Sequence, residues 1–256
     1  MLELRKITKK YHVFPAVDGV SFTVKPSEIL GYLGPNGAGK TTTIKILAGL
    51  LEQTEGQIFY KDENVNNDMY SFKKRIGYVP EQSEIYPHLS AYDYLLLVGR
   101  LRRLPEELLH EKIGRFLELF SLSSDKHSAI SSYSKGMVQK VLIASALLHN
   151  PDILLLDEPL SGLDVTTGLI IKDLVQELSK EGKIIIYSSH ILEIVEKICS
   201  RIIIIHKGRI VADDSVDHLR DLMHLPSLEV IFGQLVEQEN TGAIAKGVSE
   251  TMRLGF

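Results

Sequence analysis

The stretch Gly34-Pro35-Asn36-Gly37-Ala38-Gly39-Lys40-Thr41 lies between an apolar run at 29–33 and a helix-like run at 40–48. It carries the G-x-x-x-x-G-K-[ST] spacing of a phosphate-cradling P-loop. The glycines let the chain curl so that successive backbone N–H groups point at a di- or triphosphate, and the following helix adds its positive N-terminal end. Lys40 supplies a mobile positive charge for the β- and γ-phosphates, and the Thr41 hydroxyl a ligand for Mg²⁺. Residues Gly34, Pro35, Asn36, Gly37, Ala38, Gly39, Lys40, Thr41 and Thr42 are therefore the expected nucleotide-binding segment.

Upstream of the loop, 2–11 and 17–24 read as strands of a β-rich edge, the second closed by Lys25-Pro26-Ser27. Downstream, 57–60 and 76–79 are further strands, the latter ended by Pro80. Ser90 and Asp93 form a capping box that opens a helix to about Leu101. Pro105 starts a second helix with Leu108, Leu109, Ile113, Phe116, Leu117 and Phe120 along one face, and Ser134 caps a third reaching Leu148. Strand and helix then alternate: 153–156, 167–180, 183–187, 191–199 and 202–206. Such alternation with fully apolar strands predicts a parallel sheet covered on both faces. The expected class is thus α/β, a P-loop NTPase core with a parallel sheet flanked by helices, an antiparallel β edge and an inserted α-helical subdomain. The core is expected at 1–85 and 150–220 and the insert at about 86–149. A tail at 221–256 holds one short amphipathic helix on Leu228, Ile231, Phe232, Leu235 and Val236, and the polar residues 240–256 are expected to be poorly ordered.

At 256 residues and 44% hydrophobic, the chain can bury a sizeable core. A net charge of -4 gives no long-range attraction to nucleic acid, so no nucleic-acid partner is expected. The single cysteine, Cys199, excludes an internal disulfide and reads as a core thiol. The longest aliphatic runs fall far short of the 18 or more residues that span a bilayer, and the N-terminus lacks a secretory pattern, so a cytoplasmic location is expected.

The run 153–156 ends in Asp157-Glu158. At the C-terminal edge of an α/β sheet Asp157 can hold a metal's water shell, and Glu158 can orient or deprotonate an attacking water. With these motifs in view, residues 2–215 resemble the nucleotide-binding subunit of an ATP-binding cassette (ABC) transporter. The resemblance implies that Tyr11 stacks on adenine and that Gln82 senses the γ-phosphate and contacts the metal. It places the signature motif at Tyr133-Ser134-Lys135-Gly136-Met137, the D-loop at Ser161-Gly162-Leu163-Asp164 and the switch histidine at His190. The signature departs from the family's commoner Leu-Ser-Gly-Gly-Gln. It keeps Ser134 and Gly136 for phosphate contact, whereas Lys135 is expected to face solvent. This variant resembles those of ATPase subunits from bacterial drug, antibiotic and lipid-type exporters.

What the resemblance implies is ATP hydrolysis with Mg²⁺ by two ATPase subunits, in a homodimer or heterodimer packed head to tail. Ser134 and Gly136 of each would close over ATP held by the other's P-loop, with Asp164 also at the nucleotide, and Glu158, His190 and Gln82 in the catalytic set. The recipient of the work would be a separate integral membrane permease, holding the protein at the cytoplasmic face of the membrane. Tyr86, Leu89, Tyr92 and Tyr94 are candidates for its docking groove. The alternative left open is a soluble ABC ATPase acting in DNA maintenance or on the ribosome.

Overall fold

The computed structural model describes residues 1–82, 85–161, 163–189 and 192–223. Its elements run β1 (Leu2–Tyr11), β2 (Phe14–Val24), β3 (Ile29–Leu33), α1 (Lys40–Leu47), β4 (Glu55–Tyr60), β5 (Glu63–Asn64), α2 (Met69–Lys73) and β6 (Ile76–Val79). Then come α3 (Ala91–Leu101), α4 (Glu106–Leu119), α5 (Lys135–Leu147), β7 (Ile153–Asp157), α6 (Val165–Lys180), β8 (Ile184–Ser189), α7 (Leu192–Ile198), β9 (Arg201–His206), β10 (Arg209–Ser215) and α8 (Val216–Met223). One sheet has the order β10-β9-β3-β8-β7-β6 and is parallel except for β10; the other, β2-β1-β4-β5, is antiparallel.

Strand periodicity divides the interior in two. Leu154, Leu156, Ile185, Tyr187, Ile202 and Ile204 face one buried cluster, while their alternating neighbours Ile153, Leu155, Ile184, Ile186, Ile203 and Ile205 face the other. That is why these strands carry no polar face. Each such side chain contributes about 1.5–3 kcal/mol on burial. The first cluster also takes in Leu95 of α3, Leu109, Ile113 and Leu117 of α4, and Val141 of α5, so the three helices between β6 and β7 share a core with the sheet. The second takes in α1 and the antiparallel sheet through Ile44, Leu2, Leu4 and Ile58.

The expected capping residues do cap. Ser90 accepts from Asp93 N at 3.0 Å, and Ser134 accepts from Met137 N at 3.3 Å. Polar ties join the layers as well. Asp152, just before β7, accepts from Tyr60 Oη at 2.8 Å and Arg75 at 3.3 Å. Arg201 donates to both oxygens of Asp213, at 2.6 and 2.7 Å, and to Thr23 O at 2.8 Å. Cys199 is buried, its Sγ 3.2 Å from where a Cβ on Gly31 would stand, and burial raises its pKa.

Four elements escaped the sequence reading: β5, α2, β10 and α8. Of these, β10 is an edge strand with alternating exposure and no aliphatic run, joined to β9 by a Lys207-Gly208 turn with both φ values positive. The expected helix at 228–236 and the residues 240–256 lie outside the described residues.

Candidate nucleotide-binding site

Because β6, β7, β8 and β3 are parallel, their C-terminal ends share one edge. Val79 pairs with Leu156, Asp157 with Ser188, and Leu33 with Ser189. The P-loop, Asp157-Glu158 and the segment after β6 that carries Gln82 all leave the sheet there. The loop is shaped by close approach. A Cβ on Gly34 would stand 2.4 Å from Ile205 O, and one on Gly39, at φ 109°, 2.5 Å from Ala16 O. Both positions therefore demand glycine.

Lys40 is buried, and its ammonium turns back into the loop. Nζ donates to Gly34 O at 2.7 Å and Pro35 O at 3.3 Å, and lies 3.6 Å from Glu158 Oε1. The charge is thus already held over the cradle by groups that a phosphate would replace. Thr43 anchors the start of α1 from below, donating to Gly39 O at 3.0 Å beside the buried Tyr32 hydroxyl at 3.3 Å. Thr41 and Thr42 stay half-exposed in the first turn.

Asp157 is fully buried. Its Oδ1 accepts from Ser188 Oγ at 2.7 Å, whereas Oδ2 is enclosed without a hydrogen-bond partner. Burial raises its pKa, opposed by the hydroxyls of Ser188 and Thr41. An orphaned carboxylate oxygen beside a threonine hydroxyl fits a hard, oxygen-seeking cation such as Mg²⁺. Among the described residues no group of three His, Cys, Asp or Glu side chains is placed to hold a metal. The donor set therefore suits an ion that arrives with substrate phosphates supplying further oxygens. Glu158 is buried in the left-handed region at φ 49°, a conformation costing about 1–3 kcal/mol in a non-glycine residue. Its N–H points to Ser188 O and Oγ, both at 3.2 Å.

The other expected residues fall into separate places. Tyr11 ends β1 and is 49% exposed, opposite Phe14. Phe14, an aromatic the sequence reading passed over, is 81% exposed and two residues from the Ala16 that touches the P-loop. Gln82 is exposed beyond β6. His190 and Gly162 lie outside the described residues. Ser134 and Lys135 are exposed at the start of α5. Asp164 caps α6, accepting from Thr167 N at 2.9 Å and Thr167 Oγ1 at 2.7 Å. Its Oδ2 lies 3.1 Å from where a Cβ on Gly136 would stand. Ser134, Gly136 and Asp164 thus form one group at the starts of α5 and α6. Ser188, Ala16 and Thr167 were missed; the polar end of the run 184–189 signalled Ser188, and the Asp164-x-x-Thr167 spacing signalled Thr167.

Of the docking candidates, Tyr94 lines a groove of about 430 Å³ between α3, α5, β6 and α2. Tyr92 turns toward α4, its hydroxyl 2.6 Å from His110 Nδ1, and Tyr86 is 63% exposed.

A glycine loop between a parallel strand and a helix, with an aspartate–glutamate pair at the same sheet edge two strands away, defines a P-loop nucleotide-binding protein. The ABC transporter family model matches residues 17–161, and the chain belongs to that family. It is 36% identical over 220 residues to the uncharacterized ABC transporter ATP-binding protein YhaQ of Bacillus subtilis strain 168, covering 86% of this chain and 73% of that protein. The solved ATP-binding subunit of an ABC transporter superposes with a TM-score of 0.85 at 30% identity, over 92% of this chain and 99% of the other. A dimeric post-hydrolysis state of the ATP-binding cassette MJ0796 with ADP and Pi superposes at 0.78 and 26% identity, over 84% and 98%. The chain is an ABC transporter ATP-binding subunit and an ATPase. Among the described residues no helix is long and apolar enough to cross a membrane.

Proposed function

We propose that two such subunits, of one kind or two, pack head to tail around ATP and Mg²⁺ and drive a separate membrane permease. The observation that carries this is the division of the site. Lys40, Thr41, Asp157 and Glu158 converge on one sheet edge, whereas Ser134, Gly136 and Asp164 are tied to one another at the start of α5 and α6. Each group is half of a phosphate site. A two-fold arrangement unites them, the signature helix aiming its N–H groups and positive end at the partner's nucleotide.

In that complex Lys40 exchanges the carbonyls of Gly34 and Pro35 for phosphate oxygens. Thr41 and Asp157 would hold Mg²⁺, which neutralises phosphate charge when bound. Glu158 accepts from the attacking water and orients it, held in place by its backbone bonds to Ser188; His190 and Gln82 complete the catalytic set. Tyr11 stacks on adenine. Loss of the terminal phosphoryl group removes contacts that only the closed dimer satisfies, and the dimer opens.

The permease seats a cytoplasmic segment in the groove beside α3. Leu50, Tyr70, Tyr94 and Leu101 supply its apolar surface, and Lys73, Lys74, Arg102 and Arg103 its rim. The subunit then works at the cytoplasmic face of the membrane. Export is the direction favoured by the Ser134-Lys135-Gly136-Met137 form of the signature.

The test is Glu158→Gln with light scattering after size exclusion. ATP should convert the variant to a lasting dimer with turnover reduced on the order of 10²-fold or more, and Ser134→Glu in the same chain should return it to monomer. Wild-type turnover in Glu158→Gln, or an ATP dimer indifferent to Ser134→Glu, would sink the reading.

A further inference from the structure

We propose that the buried hydroxyl of Tyr187 is a positioning group for Glu158, donating a hydrogen bond to its carboxylate once Lys40 has turned to nucleotide. This rests on Glu158 handling the attacking water as proposed above. Tyr187 is fully buried on β8, and its Oη is enclosed without a hydrogen-bond partner. A hydroxyl so enclosed is costly, because no water remains to satisfy it. Packing alone gives no reason for it. The preceding residues of the strand, Ile184, Ile185 and Ile186, are buried aliphatics, and a phenylalanine at 187 would fill the same space without an orphaned oxygen.

Strand register puts the ring beside the nucleotide edge. Tyr187 pairs with Leu156 of β7, and both face the cluster shared with the helices between β6 and β7. Glu158 stands two residues beyond Leu156, just past the end of β7, with its N–H directed at Ser188 O and Oγ, both at 3.2 Å. Ser188 is the residue next to Tyr187. On the other side Tyr187 pairs with Gly31 of β3, where a Cβ would stand 2.6 Å from Val195 Cγ1 and 3.2 Å from Cys199 Sγ, so α7 closes tightly over that flank. The Cys199 thiol does not satisfy the hydroxyl. Burial first, then Cys199 and the Glu158 charge, raise the pKa of Tyr187, so the hydroxyl keeps its proton and stays a donor.

Charge balance sets the moment of use. Lys40 Nζ lies 3.6 Å from Glu158 Oε1, and both side chains are buried. A phosphate that draws Lys40 away takes this cation from a carboxylate that stays enclosed. A proton donor on the adjacent strand offsets that loss and fixes the direction in which the carboxylate faces the water. A hydroxyl already bonded elsewhere would have to break one bond to make the other, whereas Tyr187 Oη has none to break.

The experiment compares Tyr187→Phe, Glu158→Gln and the double variant of the full-length chain in steady-state ATPase assays with Mg²⁺, alongside thermal melting without nucleotide. Tyr187→Phe keeps the ring and removes only an unbonded oxygen, so its melting temperature should equal or exceed that of wild type. Its kcat should fall about 10-fold or more with KM for ATP unchanged, because the bond forms only with Lys40 on phosphate. In the Glu158→Gln background the same substitution should change kcat less than twofold, since two groups acting through one carboxylate are not additive. Wild-type kcat in Tyr187→Phe beside a disabled Glu158→Gln would overturn this proposal and leave the role of Glu158 standing. An equal loss in both backgrounds, a loss carried by KM, or a lowered melting temperature would overturn it too, and wild-type turnover in Glu158→Gln would overturn both.

Discussion

Asp157→Asn should stabilise the nucleotide-free protein while disabling it. The side chain is fully buried, Oδ1 is satisfied by Ser188, and Oδ2 has no hydrogen bond of good geometry, with the nearby Thr41 hydroxyl favouring its charge. A buried polar atom left without a partner costs about 1–3 kcal/mol. An amide keeps the acceptor for Ser188, carries no charge, and turns the orphaned position into a donor facing the Thr41 side. Taking about 1–2 kcal/mol as recovered, and about 2–4 °C per kcal/mol for a chain of this size, the melting temperature should rise by about 2–8 °C. Burial raises the folded-state pKa of Asp157, so the native carboxyl takes up its proton more readily than the unfolded one. Its penalty is present at neutral pH and fades as pH falls toward the ordinary carboxylate range; the gap between variant and wild type should close on acidification. Turnover should drop on the order of 10²-fold, and Mg²⁺ should no longer tighten nucleotide binding. The assay is differential scanning fluorimetry across pH, with and without Mg²⁺ and nucleotide. A variant that melts at or below wild type without ligand, or that keeps the full Mg²⁺ increment, refutes the reasoning.

Lys40→Ala removes a charge-assisted contact worth about 1.5–3 kcal/mol, so fluorescent-nucleotide titration should show affinity weakened roughly 10- to 100-fold; unchanged affinity would count against the cradle. The same substitution strips Glu158 of a buried cation at 3.6 Å and should lower the melting temperature without nucleotide. Burial holds the pKa of His149 down at about 4, helped by Arg102, while Ile76 O opposes the shift. Being lowered, it contributes stability that is complete above about pH 6.5 and is lost as pH falls toward 4. His149→Gln should therefore lose less stability than wild type between neutral and mildly acidic pH in urea titrations, and parallel losses would exclude this. Gly34→Ala would place a methyl 2.4 Å from Ile205 O; the loop must yield by about 1 Å, enough to cost about 10²-fold in turnover, and near-normal turnover would show the approach to be slack.

What could be read from the chain alone was whatever is local. The P-loop, the capping residues Ser90 and Ser134 and the run ending at Asp157 are each decided within a few residues, and they stand where spacing put them. What escaped depends on strand order. Ser188 meets Asp157 because β8 inserts between β3 and β7, bringing together positions 31 residues apart that chain order does not pair. The contact of Ala16 with Gly39 likewise needs the hairpin laid against the loop. Edge strand β10 was invisible for a different reason, since half its side chains face solvent and leave no aliphatic run.

Asp164 shows how a local reading and a tertiary one combine. Asp-x-x-Thr is a capping pattern, and the carboxylate does cap α6 with both oxygens. That engagement costs it freedom: a side chain holding two bonds to Thr167 presents a fixed oxygen to Gly136, at a distance where even a methyl group would crowd it. The start of α6 and the start of α5 are thereby spaced by a contact that tolerates little change. α6 in turn packs on β3 and β8, the strands beside the P-loop. In the head-to-tail pair proposed above, this contact would give the signature a structural route to its own chain's sheet.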